Sequence, residues 1–320
     1  MPPTDAAETA QTADPTDRER PCALVTNDDG VEGRGLAVLA VAALEAGFDV
    51  VVAAPSRDRS GASAAVDGEL DGDRLPVAEV PLPWPDLAGP DQPDDDPQAW
   101  CAQARRHEGT DRLRVLAVGA SPAFCTRVGL RGAFGGRVPD VVLSGVNHGM
   151  NTGEAVLHSG TVGAALTATV FGVRALAVSA GVASTQTLEV SATTWGAVLD
   201  AVRPALRWVL DHEPTGTLNV NVPHLDAGER VRGLRPATLA AAGVAQGSAF
   251  EAGEGYVRLT ATTPLEDPPE DPGSDTVLLA QGWATATLLA SVEQRTGVPL
   301  DDLDDLAGAV PAGTSPSTGR

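Results

Sequence analysis

The sequence predicts an α/β fold built on a parallel sheet, and three observations predict it. Strand and helix signals alternate from residue 23 onward. The first unit reads strand–helix–strand, which implies parallel strands joined by a right-handed crossover. The alternation persists to residue 223 and changes only after His224.

The elements follow in order. Residues 23–26 form a short apolar strand ending in Asn27-Asp28-Asp29-Gly30, and Gly30 supplies a tight turn. A helix is expected over 36–46, with Leu36, Leu39, Ala40, Ala43 and Leu44 on one face and Gly47 near its end. Residues 50–54 make a second strand, closed by Pro55, and the loop Ser56-Arg57-Asp58-Arg59-Ser60-Gly61-Ala62-Ser63 follows. The stretch 67–109 is poorly patterned. Within it, 84–100 is rich in Pro and Asp and reads as an exposed acidic insertion; the run Asp94-Asp95-Asp96 fits a solvated segment better than a Ca²⁺ site. A strand over 113–118 and a short helix over 123–132 come next. A strand over 141–143 ends in the Gly/Asn-rich loop Ser144 to Gly153, which runs toward His158-Ser159-Gly160-Thr161 and a small-residue helix over 162–171. A strand over 175–179, a helix over 195–210 kinked or divided by Pro204, and a strand over 218–222 complete the alternation. Beyond them lie a strand around 256–260 and a last helix near 284–293. The domain reading is therefore a disordered extension over 1–20, a core over 21–223, a C-terminal segment over 224–305 and a disordered tail over 306–320.

Composition limits the function classes. Of 320 residues, 42% are hydrophobic, enough for a sizeable core; with aromatics at 3%, that core must be Ala, Val and Leu. The formal charge of -21, with every basic residue an Arg, argues against binding nucleic-acid duplexes or anionic membranes non-specifically. A small phosphorylated ligand stays open, because a metal ion inverts the local field. Three scattered cysteines, Cys22, Cys101 and Cys125, lack metal spacing and point to a reducing compartment. No signal peptide or apolar run of membrane length is present, so a cytoplasmic protein is expected.

Three strand-end loops carry polar residues of one type. The first offers Asn27, Asp28 and Asp29; the second Ser60 and Ser63; the third Asn147 and Asn151, then Ser159, Gly160 and Thr161 at a helix start. Adjacent carboxylates repel unless a cation sits between them, and an oxygen-rich set with open positions suits Mg²⁺ or Mn²⁺. Unpaired N–H groups at the helix start suit phosphate. Each part also has a plainer reading. One Asp caps a helix and the other is solvated. Ser60 and Ser63 bond their own loop, Ser159 is an N-cap, and Asn147 and Asn151 tolerate positive φ. His148 and His158 are candidate acid–base groups or ordinary loop histidines. Cys125 lacks a basic partner and reads as buried.

Taken together, Thr26-Asn27-Asp28-Asp29-Gly30-Val31, Arg59-Ser60-Gly61-Ala62-Ser63 after Ala54-Pro55, Ser144-Gly145-Val146-Asn147 after Pro139-Asp140, Ser159-Gly160-Thr161-Val162, and Leu218-Asn219-Val220-Asn221-Val222-Pro223 resemble the SurE family of survival-protein nucleotidases. The resemblance covers roughly residues 22–223. It implies a Rossmann-like parallel sheet with helices on both faces, plus a C-terminal oligomerisation segment exchanged between subunits of a homodimer or homotetramer. It implies a phosphatase acting on nucleoside 5'- or 3'-monophosphates with one divalent metal ion, Mg²⁺ or Mn²⁺. By that likeness the metal is held by Asp28, Asp29, Ser60 and Asn147, while Asn27, Asn151, Ser159, Gly160 and Thr161 line the phosphate site. The chain departs from the family at Gly119-Ala120-Ser121-Pro122-Ala123-Phe124-Cys125, where Phe124 replaces an acidic residue, in its acidic insertion and in a weakly matching C-terminus.

The expected chemistry is attack by a metal-activated water, with Asp28 or Asp29 as the catalytic carboxylates. Three rivals are weaker. A dehalogenase-type aspartyl phosphatase places its aspartates two apart, not adjacent. A dinucleotide enzyme would carry G-x-G-x-x-G after the first strand. A non-catalytic nucleotide-binding protein on this fold would have no need of all four presumed ligands.

Overall fold

The computed structural model describes residues 20–85, 97–183, 188–213, 215–241, 248–261 and 271–293. The expectations for 1–19, for Asp94-Asp95-Asp96 and for the 306–320 tail lie outside those residues.

Strand β1 (Cys22–Thr26) is buried along its whole length and sits centrally in a nine-stranded sheet. Helix α1 (Gly35–Glu45) crosses to β2 (Asp49–Pro55), and the chain reaches β4 (Leu113–Val118) after the short β3 (Val77–Glu79) and helix α2 (Pro97–Arg105). Helix α3 (Pro122–Gly129) leads to β5 (Val141–His148), and a 3₁₀ turn (Gly153–His158) leads to α4 (Gly160–Val170). Then come β6 (Arg174–Ala180), α5 (Ala192–Asp211), β7 (Thr217–Val222) and β8 (Leu234–Pro236). The hairpin β9 (Ser248–Gly253) and β10 (Tyr256–Ala261) stands as its own antiparallel pair; helix α6 (Asp275–Ala280) and β11 (Ala284–Leu289) end the described chain. The sheet order is β3-β4-β2-β1-β5-β6-β7-β11-β8. The six strands from β4 to β7 run parallel. Among the described residues, no helix is long and apolar enough to cross a membrane.

Alternation along the strands divides the core between two faces. Ala23 and Val25 pack with α1, α2 and α5; Leu24 faces the other way, toward Cys125 of α3 and Val162, Ala165 and Ala168 of α4. The largest fully buried side chains are all Leu and Val, as the scarcity of aromatics requires. Each contributes about 1.5–3 kcal/mol on burial. All three cysteines are buried and none is in a disulfide.

The structure corrects the sequence reading at four places. First, β5 continues past Leu143 to His148, with a register shift against β6 between Ser144 and Asn147; the strand therefore carries Asn147 itself. Second, the poorly patterned stretch 67–109 turns helical from Pro97, with Cys101 and Ala104 buried in the core, while residues 86–96 of the expected insertion lie outside the described residues. Third, α5 runs unbroken through Pro204. Pro204 and Asp200 both lie on its exposed side, away from the core. Fourth, the last expected helix is strand β11, paired antiparallel to β7, with helix α6 before it. Thr285 and Thr287 are buried there, and β-branched residues suit a strand held between neighbours.

Candidate active site at the carboxyl ends of the strands

From β1 the chain moves outward on one side to β2 and β4, then returns to β5 on the other side. The ends of β1 and β5 therefore flank the switch point, where open α/β sheets leave a crevice for ligands. Asn27, Asp28 and Asp29 follow β1 directly into it.

Asp28 is 3% exposed, and both of its oxygens meet the start of α4. Oδ2 accepts the Gly160 N–H at 3.1 Å, and Oδ1 accepts the Thr161 hydroxyl. Gly160 makes this approach feasible, because a Cβ there would lie 2.7 Å from that of Asp28. The helix begins at Gly160 because Ser159 caps it, its hydroxyl oxygen accepting the Val162 N–H at 3.1 Å. The positive end of α4 thus faces the carboxylates. Burial raises the Asp28 pKa, and the Thr161 hydroxyl works against that rise. For Asp29, burial and then the charge of Asp28 push the pKa up to about 7, although the His148 backbone N–H hydrogen-bonds it. Asp29 Oδ2 and Asn27 Oδ1 are buried without a hydrogen-bond partner. Unpaired buried acceptors beside a second carboxylate call for a donor or a cation.

The second loop is tied to the first by the Arg59 N–H, which donates to the Asp28 carbonyl at 2.7 Å. Ser60 is exposed, and its hydroxyl and N–H both donate to Asp58 Oδ1, at 2.6 and 2.7 Å. Its oxygen still has lone pairs to offer. Ser63 braces the loop instead: its hydroxyl donates to the Leu157 carbonyl at 2.7 Å. On β5, Asn147 Nδ2 donates to the Gly149 carbonyl at 2.6 Å, which leaves its side-chain oxygen available.

Asn151 is held on every side. Its Nδ2 donates to Ser179 Oγ at 2.8 Å, its N–H donates to Asn221 Oδ1 at 2.8 Å, and its carbonyl accepts from Asn219 and Asn221, each at 2.9 Å. It anchors the loop more than it presents a free donor. Sequence reasoning did not assign roles to Ser179, Asn219, Asn221 or Asp58. The signal for two of them was present: in Leu218-Asn219-Val220-Asn221-Val222, residues two apart share one face of a strand, and both amides are fully buried.

The remaining candidates take quieter places. The His148 ring packs edge-on against Trp195 at 5.6 Å and hydrogen-bonds the Leu188 backbone; burial, with Arg34 nearby, lowers its pKa and keeps it neutral. His158 is exposed. Cys125 is fully buried, and burial pushes its thiol up to about 12, which excludes a thiolate nucleophile at neutral pH. Phe124 packs with the second core cluster and covers Gly68, whose Cβ would lie 2.9 Å from the ring. The family departure at 124 therefore serves packing of the 68–75 loop.

The donor set fits a hard divalent cation. It combines two carboxylates, one with a buried unpartnered oxygen, with amide and hydroxyl oxygens. Among the described residues, no group of three or more His, Cys, Asp or Glu could hold a metal ion. An ion here would rely on Asn, Ser and water oxygens, the arrangement Mg²⁺ and Mn²⁺ accept. A pH dependence follows. An ion held by Asp29 would need its carboxylate form, so the apparent Mn²⁺ affinity would fall about tenfold per pH unit below 7 and level off above it. The metal-free protein should show the linked effect. Asp29 holds its proton more tightly when folded, so stability declines as the pH rises from about 3.8 to about 7 and stays lower above that. Calorimetric titration and melting curves across pH 5–9 measure both; a flat affinity profile would contradict the assignment of Asp29.

A doubly wound sheet with a carboxylate pair and a helix start at its switch point defines an α/β protein of the class that places ligands outside the strand ends. The family described as Survival protein SurE matches residues 23–245, and the chain belongs to the SurE family. It is 31% identical over 274 residues to the 5'-nucleotidase SurE 1 of Burkholderia lata, covering 83% of this chain and 89% of that one. It is 34% identical over 156 residues to the 5'-nucleotidase SurE of Caldanaerobacter subterraneus subsp. tengcongensis; the match spans 49% of each chain, about half the relative's length. It is 34% identical over 203 residues to the 5'-nucleotidase SurE of Xanthomonas axonopodis pv. citri, with 63% of each covered. Among solved structures, the SurE protein from Aquifex aeolicus superimposes with a TM-score of 0.62 at 23% identity, covering 90% of this chain and 100% of that one, a likeness of fold.

Proposed function

We propose that this chain is a divalent-metal-dependent phosphatase that hydrolyses nucleoside 5'-monophosphates to nucleoside and phosphate, with 3'-monophosphates as a second substrate class. The observation that carries this reading is the contact of Asp28 with Gly160 and Thr161, which sets a buried carboxylate, with Asp29 next to it in the chain, against a helix start. The relatives named 5'-nucleotidase support the choice of ester. A cytoplasmic homodimer or homotetramer is the setting we assign.

Asp28, Asp29, Ser60 and Asn147 would hold the ion. When bound, it would supply Lewis acidity and lower the pKa of water. The residues of the chain do the rest. Thr161 and Gly160 fix the Asp28 carboxylate in one orientation. Asp58 orients the Ser60 hydroxyl. The Ser159 O–H remains to donate, because its oxygen alone serves the cap. The α4 amino end faces negative charge as it develops on the phosphoryl oxygens. Asn151, locked by Asn219, Asn221 and Ser179, keeps the loop in place under that charge.

The test is chromatography of nucleoside and phosphate released from paired 5'- and 3'-monophosphates, after EDTA stripping and reloading with Mn²⁺ or Mg²⁺. Equimolar nucleoside and phosphate from 5' esters is the expected result. No release with any metal, from protein shown to be folded and to bind nucleotide, would leave a nucleotide-binding protein instead.

A further inference from the structure

The loop between β5 and α4 is held by more than its sheet neighbours. Asp275, on the first turn of α6, is wholly buried and lies 122 residues from Gly153 in sequence. Its Oδ2 accepts the Gly153 N–H at 3.0 Å. Its Oδ1 accepts the Ala240 N–H at 3.1 Å and the Thr276 N–H at 2.8 Å. Each of these three partners is a backbone amide. Gly153 opens the 3₁₀ turn that ends at His158, one residue before Ser159. Ala240 lies at the end of the described segment before the β9–β10 hairpin, and Asp271 begins the described segment after it. Those two ends are themselves joined: the Thr238 N–H donates to the Gly273 carbonyl at 3.0 Å, the Asp275 N–H donates to the Thr238 carbonyl at 2.9 Å, and the Thr238 hydroxyl donates to Asp271.

We propose that Asp275 is a positioning residue: one carboxylate ties the segment at Ala240 and the start of α6 to the loop that carries Asn151 and delivers Ser159, Gly160 and Thr161 to the phosphate site. The loop is gripped at Asn151 by β6 and β7, at Gly153 by α6 and at Leu157 by the Ser63 hydroxyl. Loss of the Gly153 tie loosens the entry to the 3₁₀ turn. Its consequence falls on the phosphate site, because a shift of about 1 Å in a positioning element costs on the order of 100-fold. The kinetic arm rests on the proposed phosphatase reading; the exchange arm does not.

The test uses the full chain with Asp275→Asn and Asp275→Ala. An Asn keeps one acceptor oxygen and turns an amide toward a donor, so it should lose one of the two ties; Ala loses both. Amide hydrogen exchange over residues 151–161, KM and kcat with Mn²⁺ present, and melting temperature are measured together. We expect faster exchange over 151–161 and a KM raised about tenfold for Asn and more for Ala, with kcat within about threefold of the parent. Unchanged exchange over 151–161 with unchanged KM, even at a lowered melting temperature, would overturn the proposal and leave Asp275 a support of α6 only. Should the Ala variant fail to fold, the Asn variant decides by the same measures. Should the parent release no phosphate, the phosphatase reading fails and the exchange comparison alone decides the role of Asp275.

Discussion

Asp28→Asn is expected to lower phosphate release at least about 100-fold while the sheet still folds, because loss of even an outer-shell contact to a metal ligand costs 10–100-fold. The substitution keeps the volume of a side chain that is 3% exposed, so it opens no cavity. What it changes is charge and hydrogen bonding. The carboxylate now accepts from Gly160 with one oxygen and from Thr161 with the other. An amide can satisfy only one of them as acceptor, and its NH₂ must face the other donor unless the Thr161 hydroxyl turns. It also removes one of the two adjacent negative charges. The Asp28 charge helps to push Asp29 up to about 7, so the Asp29 pKa should fall in the variant. Burial, the larger cause of the Asp29 shift, remains, so the variant makes a double signature: activity lost, and the pH dependence of stability above pH 4 reduced. Phosphate release and melting curves at pH 5 and pH 8 read both. An active variant with unchanged metal dependence would contradict the placement of Asp28 at the centre of the site.

Gly163→Ala is expected to destabilise the protein by about 1–3 kcal/mol and to lower activity with it, the cost of forcing extra volume into a packed contact. The sign is the informative part. In an open helix this change is stabilising by about 1 kcal/mol, since Ala is the better helix former. Gly163 lies on the second turn of α4, against the backbone of the Arg59-Ser60-Gly61-Ala62-Ser63 loop. A Cβ there would stand 2.3 Å from the Ser63 carbonyl oxygen and 2.4 Å from its carbon. Those are backbone atoms, and Ser63 is already at φ +51 with its hydroxyl bound to Leu157, so the loop has little room to retreat. The helix must move away from the loop or the loop from the helix, and either motion separates Ser60 from Thr161 and Asp28. Chemical denaturation and kinetics on one preparation measure both effects. A variant more stable than the parent with full activity would show that α4 and the loop do not pack as described.

The central part of the fold was legible from local pattern. Strand β1, helix α1, strand β2 and strand β4 follow apolar runs and periods that tertiary contacts reinforce, and they fall within a residue or two of expectation. Pattern failed where a distant partner decides. Residues 284–289 carry Ala and Leu as a helix would, but β7 offers an open strand edge more than sixty residues earlier, and pairing with it wins. The site divides in the same way. Asp28, Gly160 and Thr161 stand out because carboxylates, a glycine and hydroxyls at strand and helix ends have a recognisable chemistry. Their direct contact across 132 residues was not legible, nor was the Asp275 tie to Gly153, since neither is encoded in a local run. Asn151 shows the converse. The family resemblance set it at the phosphate site, and the structure adds that its amide NH₂ donates to Ser179.

The measurement that bears most directly on the central claim is a titration of Mn²⁺ into EDTA-stripped protein at pH 8, with bound metal and phosphate release from a nucleoside 5'-monophosphate followed in the same sample. The site described here predicts that both rise together and saturate at about one ion per chain, with neither seen in Asp28→Asn. Phosphate release that persists in excess EDTA, or metal that binds equally well to the Asp28→Asn chain, would contradict it.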